Sequence, residues 1–87
     1  MTAPSITSLL GRPVRINGIE LAWPVDARLG EGGELIGLEI VCRDGSRRFL
    51  PAAAAEILPD QIRVSSALVF LDERELAWYR EHTTSAA

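Results

Sequence analysis

Cys42, His82 and the run Gly30-Glu31-Gly32-Gly33 are the places in this chain where side-chain or backbone chemistry could act on a ligand. A cysteine nucleophile must ionise, which takes a cationic neighbour or a helix N-terminus. Only Arg43 adjoins Cys42. The thiol also falls in the apolar alternation Ile36, Leu38, Ile40, Cys42, so it reads as a structural cysteine. A histidine base needs an orienting acid and a group to deprotonate. None can be assembled around His82, which falls in the last turn of a helix where a histidine suits the dipole. A phosphate loop needs a following helix and a Lys-Ser/Thr pair. The glycine run has neither and is flanked by acid. Asp26, Glu31 and Glu34 lack the periodic oxygen ligands of a calcium loop. A single cysteine excludes an intrachain disulfide, and no ligand set has zinc spacing. The expectation is a protein that is not an enzyme, with no metal, no cofactor and no small-molecule substrate.

Binding chemistry remains. Nine basic residues, all arginine, stand against twelve acidic ones, for a formal charge of −3. An acidic domain lacks the electrostatic footprint of a general nucleic-acid binder. Arg43, Arg47 and Arg48 form the only basic cluster. On a strand Arg47 and Arg48 face opposite ways, and Arg48 is expected to reach Glu39 diagonally across a hairpin. Trp and Tyr are enriched at the energetic centres of protein interfaces, so Trp23, Trp78 and Tyr79, with Arg48 and His82, are the candidate partner contacts. The competing role for the aromatic residues is to seal the core.

The elements that must position these residues are mostly short strands. Asn17-Gly18 between alternating residues predicts a two-residue hairpin. It pairs Ile16 with Ile19, Arg15 with Glu20 and Val14 with Leu21, with the apolar set on one face. The second strand continues through Trp23, Val25, Ala27 and Leu29. Pro24 marks an edge strand or a bulge within it. Residues 34–43 give the longest strand, with Ile36, Leu38, Ile40 and Cys42 on one face, and Asp44-Gly45 signals a second hairpin. The return strand, residues 46–50, ends at Pro51. A short helical turn follows over residues 52–55, then two small strands around Pro59-Asp60, and then a last strand or connector over residues 67–70.

The end of the chain changes character. Asp72 with Glu75 resembles an acidic capping box, and Leu71 with Leu76 a hydrophobic staple. They open an amphipathic helix of about three turns. Leu76, Trp78, Tyr79 and His82 fall on one side of it, and Arg80 falls on the other. A helix this short is marginal alone, so its aromatic side must pack on something. Residues 84–87 read as a small polar tail.

A chain of 87 residues holds one domain. Residues 1–8 are expected to be a tail, 9–71 a β domain and 72–83 the helix. The fold class is mainly β, a small closed or partly open barrel of about six short antiparallel strands with a C-terminal amphipathic helix. Closure is favoured because it removes sheet edges. No apolar run approaches the ~20 residues of a membrane helix. The start, Met1-Thr2-Ala3-Pro4-Ser5, lacks the pattern of a secretion signal. No membrane insertion and a cytoplasmic location are the expectations.

The order Leu9-Leu10-Gly11-Arg12-Pro13-Val14, the Asn17-Gly18 turn, Val25-Asp26, Gly33-Glu34-Leu35-Ile36-Gly37-Leu38-Glu39-Ile40-Val41, a basic hairpin and Phe49-Leu50-Pro51 with Ile57 resembles the PRC-barrel domain. That domain occurs in the H subunit of photosynthetic reaction centres, in the ribosome maturation factor and in small stand-alone bacterial and archaeal proteins. The resemblance covers roughly residues 9–65. Ser66-Ala67-Leu68 and Leu76-Ala77-Trp78-Tyr79-Arg80 are similar to actinobacterial stand-alone members. Trp23-Pro24 departs from the family, which usually has a glycine and a basic or small residue there. Such motifs specify fold far better than function. The resemblance implies a partner-docking module, with a homodimer or another protein as partner. The alternative is an RNA- or ribosome-associated barrel.

Overall fold

The computed structural model describes residues 9–86. The tail expected over residues 1–8 lies outside that range, as does Ala87. Leu9 and Leu10 are helical. From Val14 onward the described residues form, in order, β1 (Val14–Ile16), β2 (Ile19–Leu29), β3 (Leu35–Cys42), β4 (Arg47–Pro51), a 3-10 turn at Ala52–Ala54, β5 (Glu56–Ile57), β6 (Ile62–Arg63), a 3-10 turn at Ala67–Val69, the helix α1 (Glu73–His82) and β7 (Thr84–Ser85).

The strands form one sheet in the order β4-β3-β2-β1-β6-β5, with β7 also on β2. The expectation of about six antiparallel strands is corrected in three ways. There are seven, the sheet does not close, and β1 runs parallel to β6, pairing Val14 with Ile62 and Arg15 with Arg63. Residues 67–70 form a turn rather than a strand. The polar segment after the helix supplies β7, which pairs Thr84 with Leu29 and Ser85 with Arg28.

The first hairpin forms as its turn chemistry dictates. Asn17 and Gly18 both have positive φ, 51° and 81°, as a two-residue primed turn requires. Ile16 faces Ile19 and Arg15 faces Glu20. Beyond that a bulge intervenes and Val14 pairs with Ala22, not Leu21. The extra residue exchanges the faces, so Ala22 enters the core and Ile19 stays exposed. A further bulge between Pro24 and Asp26 accommodates the proline. A third, between Arg28 and Leu29 opposite Ile36, turns Leu35 toward the core and Ile36 to the other side. The Asp44-Gly45 hairpin has a three-residue loop. The Gly45 N–H donates to Cys42 O and the Cys42 N–H to Ser46 O, each at 2.9 Å, and Gly45 alone takes the left-handed conformation, at φ 85°.

One face of the sheet carries the core: Val14, Ala22, Ala27, Leu38, Ile40, Leu50, Ile62 and Val64. Residues from β4 and from β6, four strands away, share this cluster, so the open sheet wraps around it. Cys42 packs partly buried against the cluster, as a structural cysteine does. The other face receives α1.

Candidate functional site

Register fixes what lies beneath the helix. On β3 the residues facing away from the core are Gly37, Glu39 and Val41. Their partners on β2 are Arg28, Asp26 and Trp23, and on β4 they are Pro51, Phe49 and Arg47. The helix crosses this face from β4 to β2 and is fastened at several points.

At its start, Leu71 bridges to the outer edge of β4. The Leu71 N–H donates to Phe49 O at 2.8 Å, and the Phe49 N–H donates to Leu71 O at 3.1 Å. Asp72 then caps the first turn, accepting from the N–H groups of Arg74 (3.0 Å) and Glu75 (3.1 Å). An N-cap of this kind stabilises by about 1 kcal/mol. In the middle, Leu76 is buried. Tyr79 stacks on Phe49 with ring centroids 3.9 Å apart. Phe49 in turn lies over Gly37, where a Cβ would collide with its ring.

Arg28 secures the far end. It is 8% exposed. Its guanidinium donates to Thr83 Oγ1 at 2.8 Å, to the carbonyls of Arg80 and Thr83 at 2.9 Å each, and to Asp26 at 3.3 Å. A cation on the last carbonyls satisfies groups the helix leaves unbonded and complements its dipole. Asp26 also accepts from Ser85 Oγ at 2.6 Å, which ties β7 to the same point. Its Oδ1 is buried without a hydrogen-bond partner among the described residues. No sequence signal marks Arg28 as the anchor of the helix end, because its partners there lie more than fifty positions away.

Glu39, buried on β3, accepts from Arg80 Nε at 2.7 Å and from Arg47 at 3.2 Å. The Arg80 hydrogen bond holds its carboxyl below the usual range, against the opposing effect of burial, and Arg47 adds to it. Glu39 in turn raises the Arg80 guanidinium. Two expectations are corrected here. Arg47, not Arg48, reaches Glu39, because Arg48 pairs with Ile40 and so faces the other way. Arg80, placed on the helix's outer side by sequence, extends its long side chain inward.

The five sequence candidates therefore divide. Tyr79 is used in docking the helix. Trp78 is 54% exposed, meets Tyr79 edge-on at 4.9 Å and stacks on His82 at 4.0 Å. His82 Nδ1 lies 2.7 Å from Trp78 O. These three side chains, with Ile36, Thr83 and the 30–34 loop bearing Glu31 and Glu34, line an open groove of about 450 Å³ near the start of β3. Trp23 and Arg48 do not join them. Trp23, 38% exposed, pairs with Val41 near the other end of β3. Arg48 lies on the opposite face, in a groove of about 420 Å³ with Leu21, Cys42, Leu68 and Phe70.

Leu68, like Ile19, is a surface residue that sequence reasoning missed. Leu68 is 92% exposed, displayed from a turn that Ser66 caps by accepting from the Leu68 N–H at 3.1 Å. An apolar side chain inside Ala67-Leu68-Val69-Phe70 looks like core, and only the turn geometry shows that Ala67 and Leu68 face out. Val69 and Phe70 are half-buried against the core, Phe70 with part of its ring on the groove that Leu68 borders.

Arg15, Arg28, Arg47, Arg63 and Arg80 pair with carboxylates, and the groove that Arg47, Arg48 and Arg74 line also holds Asp72 and Glu73. Among the described residues no three metal-ligating side chains converge, and no helix is long and apolar enough to cross a membrane. The chain matches no family model, no curated protein and no solved structure.

Proposed function

We infer that the chain is a non-catalytic protein-interaction module of the PRC-barrel kind that assembles with further copies of itself. The observation that carries this reading is Trp78. Its indole is more than half exposed on a helix fixed to the sheet at its start, middle and end. Ordering a flexible side chain or segment on binding costs affinity. A tryptophan already stacked on His82 and backed by Tyr79 avoids most of that cost, as an interface anchor should. The surrounding side chains offer apolar area and charge, and the one hydroxyl next to His82 in the groove, that of Thr83, is engaged by Arg28 at 2.8 Å.

The experiment is molar mass by light scattering, for the intact chain and for Trp78→Ala. Removing the helix would expose Phe49 and Gly37 and confuse folding with assembly, so a point substitution is the cleaner probe. A mass above that of one chain, lowered by Trp78→Ala while circular dichroism stays unchanged, supports the reading. A monomer at every concentration overturns it.

A further inference from the structure

Two exposed apolar surfaces lie at opposite ends of β3 and on opposite faces of the sheet. The Trp78 groove combines Ile36, Trp78 and His82 with the carboxylates of Glu31 and Glu34, and Glu75 borders the indole on its other side. The second surface combines Leu21, Leu68 and Phe70 with Arg43 and Arg48. Asp44 also lies there and stays ionised, its carboxylate accepting from the N–H and hydroxyl of Ser46 at 2.9 and 2.6 Å, so Arg43 and Arg48 together outweigh it by one positive charge. One surface is therefore apolar with an acidic rim, and the other apolar with a basic rim.

A two-fold dimer places a patch against its own image. Through the Trp78 groove it would set Glu31, Glu34 and Glu75 against their copies, and like charges brought together across an interface are costly. Joining the unlike surfaces sets Arg43 and Arg48 against Glu31 and Glu34, with Leu68 entering the groove beside Trp78 and Ile36. The geometry points to head-to-tail self-association, in which the Leu68 surface of one copy seats on the Trp78 groove of the next. This rests on the self-association reading and specifies its symmetry. A contact of this type builds rings or open chains instead of closing at two.

Mixing separates the possibilities. Leu68→Asp blocks one surface and leaves the other intact. Glu31→Arg with Glu34→Arg blocks the opposite one, and Trp78→Glu is a second block of that same surface. All four positions are exposed, and circular dichroism checks that each variant folds. By light scattering each variant alone is expected to be monomeric. Leu68→Asp mixed with either groove variant is expected to give dimers, because each supplies the surface the other lacks. Two groove-blocked variants mixed together should stay monomeric. If the intact chain associates but the complementary mixture does not, head-to-tail packing is overturned and self-association stands. If the intact chain is monomeric, both fail.

Discussion

Replacing Gly37 by alanine should destabilise the fold although the backbone argument points the other way. Glycine within a strand is ordinarily worse than alanine by roughly 0.5–1 kcal/mol, so an isolated view of β3 predicts a gain. The structure reverses the sign. A Cβ at Gly37 would overlap the Phe49 ring and come within 2.5 Å of the Leu50 carbonyl oxygen. The carbonyl belongs to the β3–β4 ladder and cannot retreat without loosening it. Overpacking of this kind costs about 1–3 kcal/mol. Pushing Phe49 off Tyr79 forfeits a stacking contribution of about 0.5–1.5 kcal/mol. Set against the backbone gain, the net loss is about 0.5–4 kcal/mol. For a domain of this size each kcal/mol lowers Tm by about 4–8 °C. Urea unfolding followed by circular dichroism measures the loss directly. Phe49→Leu in the same chain should recover only part of it, because the Leu50 carbonyl contact remains. A Gly37→Ala chain as stable as the parent, or more stable, would refute the claim that Phe49 lies over Gly37 as the platform for Tyr79.

Two further perturbations probe the same attachment. Arg28→Ala leaves Asp26 and the carbonyls of Arg80 and Thr83 at the helix end without their buried cation and should cost about 3–5 kcal/mol in urea unfolding. Arg28→Lys should recover only part of that, since a compact ammonium cannot span donors that a planar guanidinium reaches together. The pH dependence follows from Glu39. Its folded pKa is lowered from 4.5, so folding favours the ionised form. The stability this contributes is fully present above the unfolded value and is lost as pH falls through the depressed folded one. In a series of unfolding curves, Glu39→Gln should therefore flatten the acid limb of stability below about pH 4.5. An unchanged acid limb would contradict the Arg80–Glu39 attachment.

How much of this was readable in advance depended on the range of the interaction involved. The Asn17-Gly18 turn, the position of β3 and the Asp72 cap follow from neighbours in the chain, and each formed as its local chemistry requires. But β3, expected to be the longest strand, has 8 residues against 11 for β2, which continues past Pro24 through a bulge. Errors of parity came from bulges. One extra residue at Leu21 and another at Ile36 exchanged inside for outside, and an alternation pattern carries no mark of where a strand will slip. Assigning Arg48 to Glu39 was an error of the same type, one position off and hence on the wrong face. The parallel pairing of β1 with β6, the short β7 and the role of Arg28 all join distant segments, so no window of sequence contains both partners. Among the candidate contacts, sequence placed Trp78 and Tyr79 together on one helix side. A rotation of ~100° per residue nevertheless separates them enough that Tyr79 reaches Phe49 while Trp78 meets solvent. Leu68 went unnoticed because composition cannot tell an apolar connector that packs from one that displays a side chain.

The central claim is that the exposed indole of Trp78 exists to be covered by another copy of the chain. The most direct test follows the Trp78 indole N–H resonance and the molar mass together as the concentration of the intact chain is raised. The account predicts that the indole signal shifts or broadens in step with growing mass, while the Trp23 signal, at the other end of β3, changes less. A constant mass with an unmoved Trp78 signal would contradict it.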